Sequence, residues 1–206
     1  MDMRDKLIES AARVFAEAGY RGATTRRIAQ DAGVNEITLF RHFGNKDALL
    51  LEAVRVHGAP KPTMPELPQH PVDPFAELER WCRVQHEFLL ERRALIRNCM
   101  GEMEERPDMG HPAKAHPHCA AAALAGYFER MRAAGLTTQR FDPAAAAWML
   151  LAAVFGDAMW RGILPELYGE TADAAIAEYV RLTLSSIGLA VTQVTDETPA
   201  PHARTA

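Results

Sequence analysis

Two groups of residues in this chain have types and spacing that suit chemistry. The first comprises Thr24, Thr25 and Arg26, then Glu36, Thr38, Phe40, Arg41 and His42, then Lys46. A basic side chain can bond guanine, a threonine hydroxyl can bond phosphate or base, and an apolar group can touch a thymine methyl. Phe40 can serve either the groove or the core. Arg41 is read first as a DNA contact, with a solvated surface arginine as the alternative. The second group is His111, His116, His118 and Cys119. Imidazole and thiolate suit zinc or copper. Pro112 and Pro117 make the stretch read as a loop, however, and its spacing matches no standard site, so solvated histidines are expected and metal sensing is the alternative. No nucleophile–base pair, glycine-rich phosphate loop or metal-ligand pair stands out, so neither an enzyme nor a cofactor is expected.

The elements that must position the first group are short helices. Residues 3–18 carry Leu7, Ile8, Ala11, Ala12, Val14, Phe15 and Ala18 on one stripe, and Gly19 stands where a left-handed cap belongs. Thr24-Thr25 opens a second helix whose Ile28, Ala29 and Ala32 face inward, and Gly33 ends it. Asn35 caps a third helix with Leu39 and Phe43 inward and Glu36, Ile37, Thr38, Phe40, Arg41 and His42 outward. A fourth spans 46–57. A tight glycine turn between two short helices is the helix-turn-helix pattern, in which the second of the pair enters a major groove. The hydroxyl and free N–H groups at Thr24, Thr25 and Arg26 then form a phosphate seat, and Lys46 holds a phosphate on the other side.

Residues 58–73 read as a linker. Six of the thirteen prolines fall at 60, 62, 65, 68, 71 and 74, a density that no helix interior tolerates. Helices follow again: from Asp73-Pro74 to about 89, from 94 to 106, from 118 to 134, from Asp142-Pro143 to 160, and from Thr171 to about 187. The expected fold is all-α, with a helix-turn-helix unit at 1–57 and a larger helical unit at 74–190. Residues 191–206 are polar and expected to be disordered.

Composition agrees with this plan. The 206 residues are 48% hydrophobic and 24% charged, enough apolar surface for a core. The longest nearly apolar run, 144–156, is too short to span a membrane and reads as a buried helix. The N-terminus lacks a secretory pattern, and Cys82, Cys99 and Cys119 form no CxxC pair, so a reducing cytoplasm is expected. The net charge of −4 argues against wholesale coating of nucleic acid, but residues 21–46 carry a net +3 against −5 from residue 58 onward.

The run from Thr24 to Leu49, TTRRIAQDAGVNEITLFRHFGNKDAL, with its lead-in Phe15 to Gly22, FAEAGYRG, resembles the DNA-binding motif of the TetR family of bacterial transcriptional regulators. The resemblance covers about residues 4–55 and implies a homodimer on a palindromic double-stranded DNA operator, released by a small-molecule effector. It makes Thr25 and Lys46 phosphate contacts and turns Thr38 and His42 toward DNA. Two positions depart from the pattern. Phe40 stands where the family usually has Tyr, and Arg27 where an acid often completes a capping box with Thr24.

In the second unit Trp81, Phe88, Cys99, Met100, Met103, Trp148 and Phe155 could line a pocket for an apolar or aromatic effector, although an ordinary core needs the same stripes. Gln85, His86, Asn98 and Glu102 are candidate polar anchors. The last two helices are Ala-rich, and their Met159, Ile176, Val180 and Leu184 are candidates for a two-fold helical interface, with burial inside one subunit as the alternative. The sequence therefore points to a ligand-released repressor, with an activator or a metal-dependent sensor as alternatives.

Overall fold

Short polar side chains start most of the helices in the computed structural model, which describes residues 2–59, 65–108, 115–169 and 171–189. Asp2 caps α1 (Met3–Gly22), and Thr24 caps α2 (Thr25–Asp31) by accepting from the Arg27 N–H. Asn35 accepts from the Ile37 N–H to open α3 (Glu36–Phe43), and Asn45 accepts from the Ala48 N–H to open α4 (Lys46–Gly58). Asp73, Asp142 and Thr171 do the same for α5 (Pro74–Glu91), α8 (Pro143–Trp160) and α9 (Ala172–Ser186). Between them lie α6 (Arg93–Glu102) and α7 (Ala115–Ala133). Each such cap satisfies an N–H that the first helical turn leaves without a partner.

Three boundaries differ from the sequence expectation. α1 does not stop at residue 18; the backbone leaves helical geometry at Gly19, with φ at 65°, and one further turn follows to Gly22. α6 ends four residues before Arg106. α7 begins at Ala115 rather than His118, so Pro117 lies in a first turn, where a missing N–H removes no helical bond. His116 and His118 are therefore helical, not looped. Residues 65–73 of the proline-rich stretch carry no helix, but Leu67 is buried. Residues 60–64, His111 and the 191–206 tail lie outside the described residues.

Two hydrophobic cores result. The first gathers Leu7, Ala11, Phe15, Ile28, Leu39, Leu49, Leu50 and Ala53 from α1 to α4, and takes in Leu95 and Cys99 from α6. The second gathers Leu78, Trp81 and Cys82 of α5, Leu124, Tyr127 and Phe128 of α7, and Leu150 and Val154 of α8 against α9. α6 is thus shared: it packs on α1 and also touches α5 and α8.

The four residues offered for a two-fold interface belong to the interior of this chain. Met159, Ile176, Val180 and Leu184 are each no more than 4% exposed. The last three fill the second core. The large apolar side chains that α8 and α9 do leave exposed are Trp148, Met149, Trp160 and Leu182. By length and composition α8 could cross a membrane. Its packing against α5, α7 and α9 makes it a core helix instead, and it carries a buried acid. Asp157 accepts from Arg161 at 2.5 and 2.9 Å and from the Tyr179 hydroxyl at 3.1 Å, and meets His86 Nε2 at 2.9 Å. Burial opposes the Asp157 charge, but these bonds outweigh it and hold the acid below its usual range.

An ionic clasp ties the two ends of the first core. Glu52 of α4 accepts from Arg55 and from Arg4 of α1, each at 2.6 Å, and these bonds hold its carboxyl at about 2. A carboxyl lowered in the folded state stabilises fully above its unfolded value and loses that contribution as pH falls through the folded one. The clasp should therefore weaken between about pH 5 and about pH 2. Glu52→Gln should flatten the acid limb of a stability-against-pH curve from urea denaturation in that window, with the neutral-pH fold kept.

Candidate functional site

The turn between α2 and α3 is built by backbone geometry. Gly33 takes φ of 70°, which lets its N–H bond Gln30 O at 3.1 Å while the Val34 N–H bonds Ala29 O at 2.9 Å. The chain then re-enters α3 at Asn35. Leu39 is completely buried and Phe43 is partly buried against the same core, as the spacing required. The outer face carries Ile37, 74% exposed, and Phe40, 46% exposed, beside exposed Arg41 and His42 and half-buried Thr38. The Phe40 ring thus stands half out of the protein instead of joining the core. Ile37 is the apolar residue of this face that the sequence reading placed outward without assigning it to the site.

The remaining residues of the face divide into free and engaged groups. Arg26 and Arg41 are exposed and form no ion pair among the described residues. Arg27 is drawn aside to Glu17 at 3.0 Å, and Asp31 is neutralised by Arg13 at 2.5 Å. Both leave the positive charge of Arg26 and Arg41 unopposed nearby. The Thr25 hydroxyl donates to Glu36 Oε1 at 2.5 Å, a strut between the starts of α2 and α3. Lys46 lies at the start of α4 and is half buried. Its Nζ donates to Tyr20 O at 3.0 Å and sits 3.6 Å from the centre of the Tyr20 ring, and burial lowers its pKa. Tyr20 was missed as a site residue. It also donates to Asp47 at 2.5 Å and carries the Arg106 guanidinium 3.6 Å from its ring centre. Only its place after the Gly19 break, beside the motif, could have signalled it.

Behind this face lies a cavity of about 520 Å³ enclosed by α4 to α8. Phe88, Cys99, Met100, Met103, Trp148 and Phe155 all line it. Trp81 does not: it is packed into the second core and borders a smaller depression that shares Gln85, His116 and Ala120 with the cavity. Of the proposed anchors only Gln85 reaches the wall. Asn98 instead donates to Phe15 O and Ala16 O of α1, both at 2.8 Å. His86 is held by Asp157, and Glu102 by Arg106.

His116 and His118 also line the cavity. His116 stacks on Phe88 with ring centres 4.2 Å apart, and His118 stands edge-on to Trp148 at 6.3 Å. Each histidine is taken up by a different aromatic partner. Among the described residues no group of three or more His, Cys, Asp or Glu could hold a metal ion. Burial keeps the His116 imidazole neutral, with its pKa lowered to about 4.

α6 joins the cavity to the exposed face. Cys99 touches both the first core and the cavity, Leu95 does likewise, and Asn98 between them is bonded to α1. At the head of α6, Arg92 donates to the His57 carbonyl of α4 at 2.7 Å.

Comparison with known proteins agrees with this geometry. Residues 7–53 match the model for bacterial regulatory proteins of the tetR family, and residues 76–186 match the C-terminal domain of AefR-like transcriptional repressors. The transcriptional repressor AcnR of Corynebacterium efficiens is 41% identical over 59 residues, which are 29% of this chain and 31% of that protein. The chain thus spans less than a third of that relative's length. The regulator YvkB of Bacillus subtilis is 26% identical over 73% of this chain and 78% of its own. In fold, the chain is similar to a TetR transcriptional regulator of Agrobacterium tumefaciens, with 20% identity, a TM-score of 0.74, and coverage of 90% of this chain and 94% of that one. It is also similar to SmeT, described as the repressor of the SmeDEF multidrug efflux pump of Stenotrophomonas maltophilia. That likeness has 25% identity, a TM-score of 0.68 and coverage of 96% of each chain. With a helix-turn-helix face at one end and both family models matched, the chain belongs to the TetR family and is a DNA-binding transcriptional regulator.

Proposed function

We propose that the chain is a cytoplasmic repressor that binds a palindromic operator as a homodimer and is released by a small apolar or aromatic effector. The observation that carries this reading is the double role of α6, whose Leu95 and Cys99 belong at once to the first core and to the cavity wall. An effector that seats better when α6 is displaced would move α1 through Asn98 and Leu95, and α4 through Arg92. Recognition helices of a dimer must stand about one turn of DNA apart to enter successive grooves, so a change of that spacing releases the operator. A hundredfold loss of operator affinity requires about 2.7 kcal/mol of difference in effector binding between the two states. The structural neighbour FrrA, described as a flavonoid-responsive regulator, is 23% identical with a TM-score of 0.66, and an aromatic effector is in keeping with that description. An activator would use the same parts, since the sign of regulation depends on where the operator lies.

The reading is tested by selecting bound sequences from a random double-stranded library with the full chain, at near-physiological salt. An enriched inverted repeat is expected; enrichment of a single half-site would remove the dimeric reading. On the selected sequence Arg41→Ala should lose about tenfold or more in affinity and relax the preference at one base step, by competition binding. Lys46→Ala should weaken binding to all sequences alike and reduce the salt slope by about one.

The proposed dimer uses the exposed faces of α8 and α9, since the side chains first considered lie inside. Leu182→Glu places a charge on that face, 60% exposed in the single chain, without disturbing either core. It should shift the mass from dimer to monomer in sedimentation and reduce operator binding, with the helical content unchanged.

A further inference from the structure

The cavity wall is mostly carbon but also carries His57, Gln85, Arg92, His116 and His118, and of its three histidines His116 is the buried one. It is 8% exposed, and its Nδ1 is buried without a hydrogen-bond partner among the described residues. Buried ring nitrogens in folded proteins are nearly always satisfied by protein, water or a ligand. The ring has little freedom to look for a protein partner, because it is stacked on Phe88 and fixed near the start of α7. It also stands in a partition. With Gln85 and Ala120, His116 borders both the apolar cavity and the smaller depression of about 440 Å³ edged by Glu66, Gln69 and Arg130. A molecule filling the cavity therefore meets the buried His116 imidazole where the two spaces adjoin, while His57 and His118 line the wall as more exposed groups.

The charge of the wall narrows the chemistry further. Its arginine, Arg92, is already committed: it donates to the His57 carbonyl, pairs with Glu91 at 2.8 Å and lies 4.1 Å from the Phe88 ring centre. An anionic ligand would have to displace that pairing. A neutral imidazole offers one donor and one acceptor, which suits a hydroxyl. The rings of Phe88, Trp148 and Phe155 suit a flat aromatic body.

Taking the cavity as the effector site, we propose that His116 is its polar anchor and that the effector is an uncharged aromatic molecule bearing a hydroxyl. The aromatic rings lie against Phe88, Trp148 and Phe155, and the hydroxyl exchanges a hydrogen bond with the His116 imidazole.

The probes are phenanthrene, a phenanthrol and a phenanthrene carboxylate, three molecules of one ring system that differ in their polar group. Their affinities are measured on the full chain by titration calorimetry. The phenanthrol should bind about tenfold tighter than the hydrocarbon, and the carboxylate weakest. His116→Phe keeps the stack on Phe88 but removes both ring nitrogens. It should bring the phenanthrol to within about twofold of the hydrocarbon and leave the hydrocarbon's own affinity unchanged. His116→Asn, which returns a polar group near the Nδ1 position, should restore part of the preference. Circular dichroism and the melting temperature check that each variant is folded. A preference for the phenanthrol that survives His116→Phe overturns the anchor and leaves the cavity intact as a site. Phe155→Asp removes one aromatic wall and places a charge in the apolar lining, and should weaken binding of all three by about tenfold or more. Probes that bind this variant as well as the parent, or that never bind the parent, overturn the effector site itself.

Discussion

α6 cannot satisfy one half of this molecule without touching the other. Its Leu95 and Cys99 complete the core beneath the helix-turn-helix, and the Asn98 amide saturates two carbonyls of α1 just before the Gly19 break. Carbonyls at the end of a helix have no intrahelical donor, so Asn98 supplies what α1 lacks. The same ten-residue helix forms one wall of the cavity. Close-packed interiors respond to displacement by moving as units, so α1 and α4 must follow α6 or lose those contacts.

The groove-facing end depends on a different economy. The chain is acidic as a whole, yet its outer face on α2 and α3 presents Arg26 and Arg41 without an ion pair among the described residues, while nearby acids are occupied. Asp31 is bound by Arg13, Glu36 by Thr25 and Asp47 by Tyr20. Arg13 neutralises Asp31, whereas the Thr25 and Tyr20 hydroxyls only hold their carboxylates in place, and each of the three contacts braces one element on another. Lys46 is held over Tyr20, whose ring also carries Arg106 from just beyond α6. Its ammonium thus sits where the two halves of the chain meet.

The second half is organised around burial with one charged exception. Asp157 lies in the last turn of the most apolar of the described helices and is surrounded by His86 of α5, by Arg161 at the end of α8 and by Tyr179 of α9. Removing one partner from such a cluster would leave an uncompensated buried charge, at a cost of about 3–5 kcal/mol. The cluster pins three helices in one register and leaves the cavity between α6 and α8 free to be apolar.

Local rules made much of this legible in the sequence. Caps at Thr24, Asn35, Asp73, Asp142 and Thr171 depend on a few neighbouring atoms, as does the left-handed backbone at Gly33, so residue identity alone determines them. The helical period separated Leu39 from Arg41 for the same reason, because α3 has one apolar stripe and one polar face. Tertiary structure decided what period cannot. α8 is apolar nearly all round, so its sequence does not say which side meets the core, the cavity or another chain. Met159, with Ile176, Val180 and Leu184 on α9, went inward only because α5 lies against them. Trp81 and Phe88 share one helix and one stripe, yet packing sends the first into the second core and the second to the cavity. His116 reads as a loop residue beside two prolines. It became a buried cavity residue because Pro117 can enter a helical first turn, and because Phe88, 28 positions earlier in the chain, offered a ring to stack on. Contacts between residues far apart in sequence are set by how helices pack, and no local pattern encodes them.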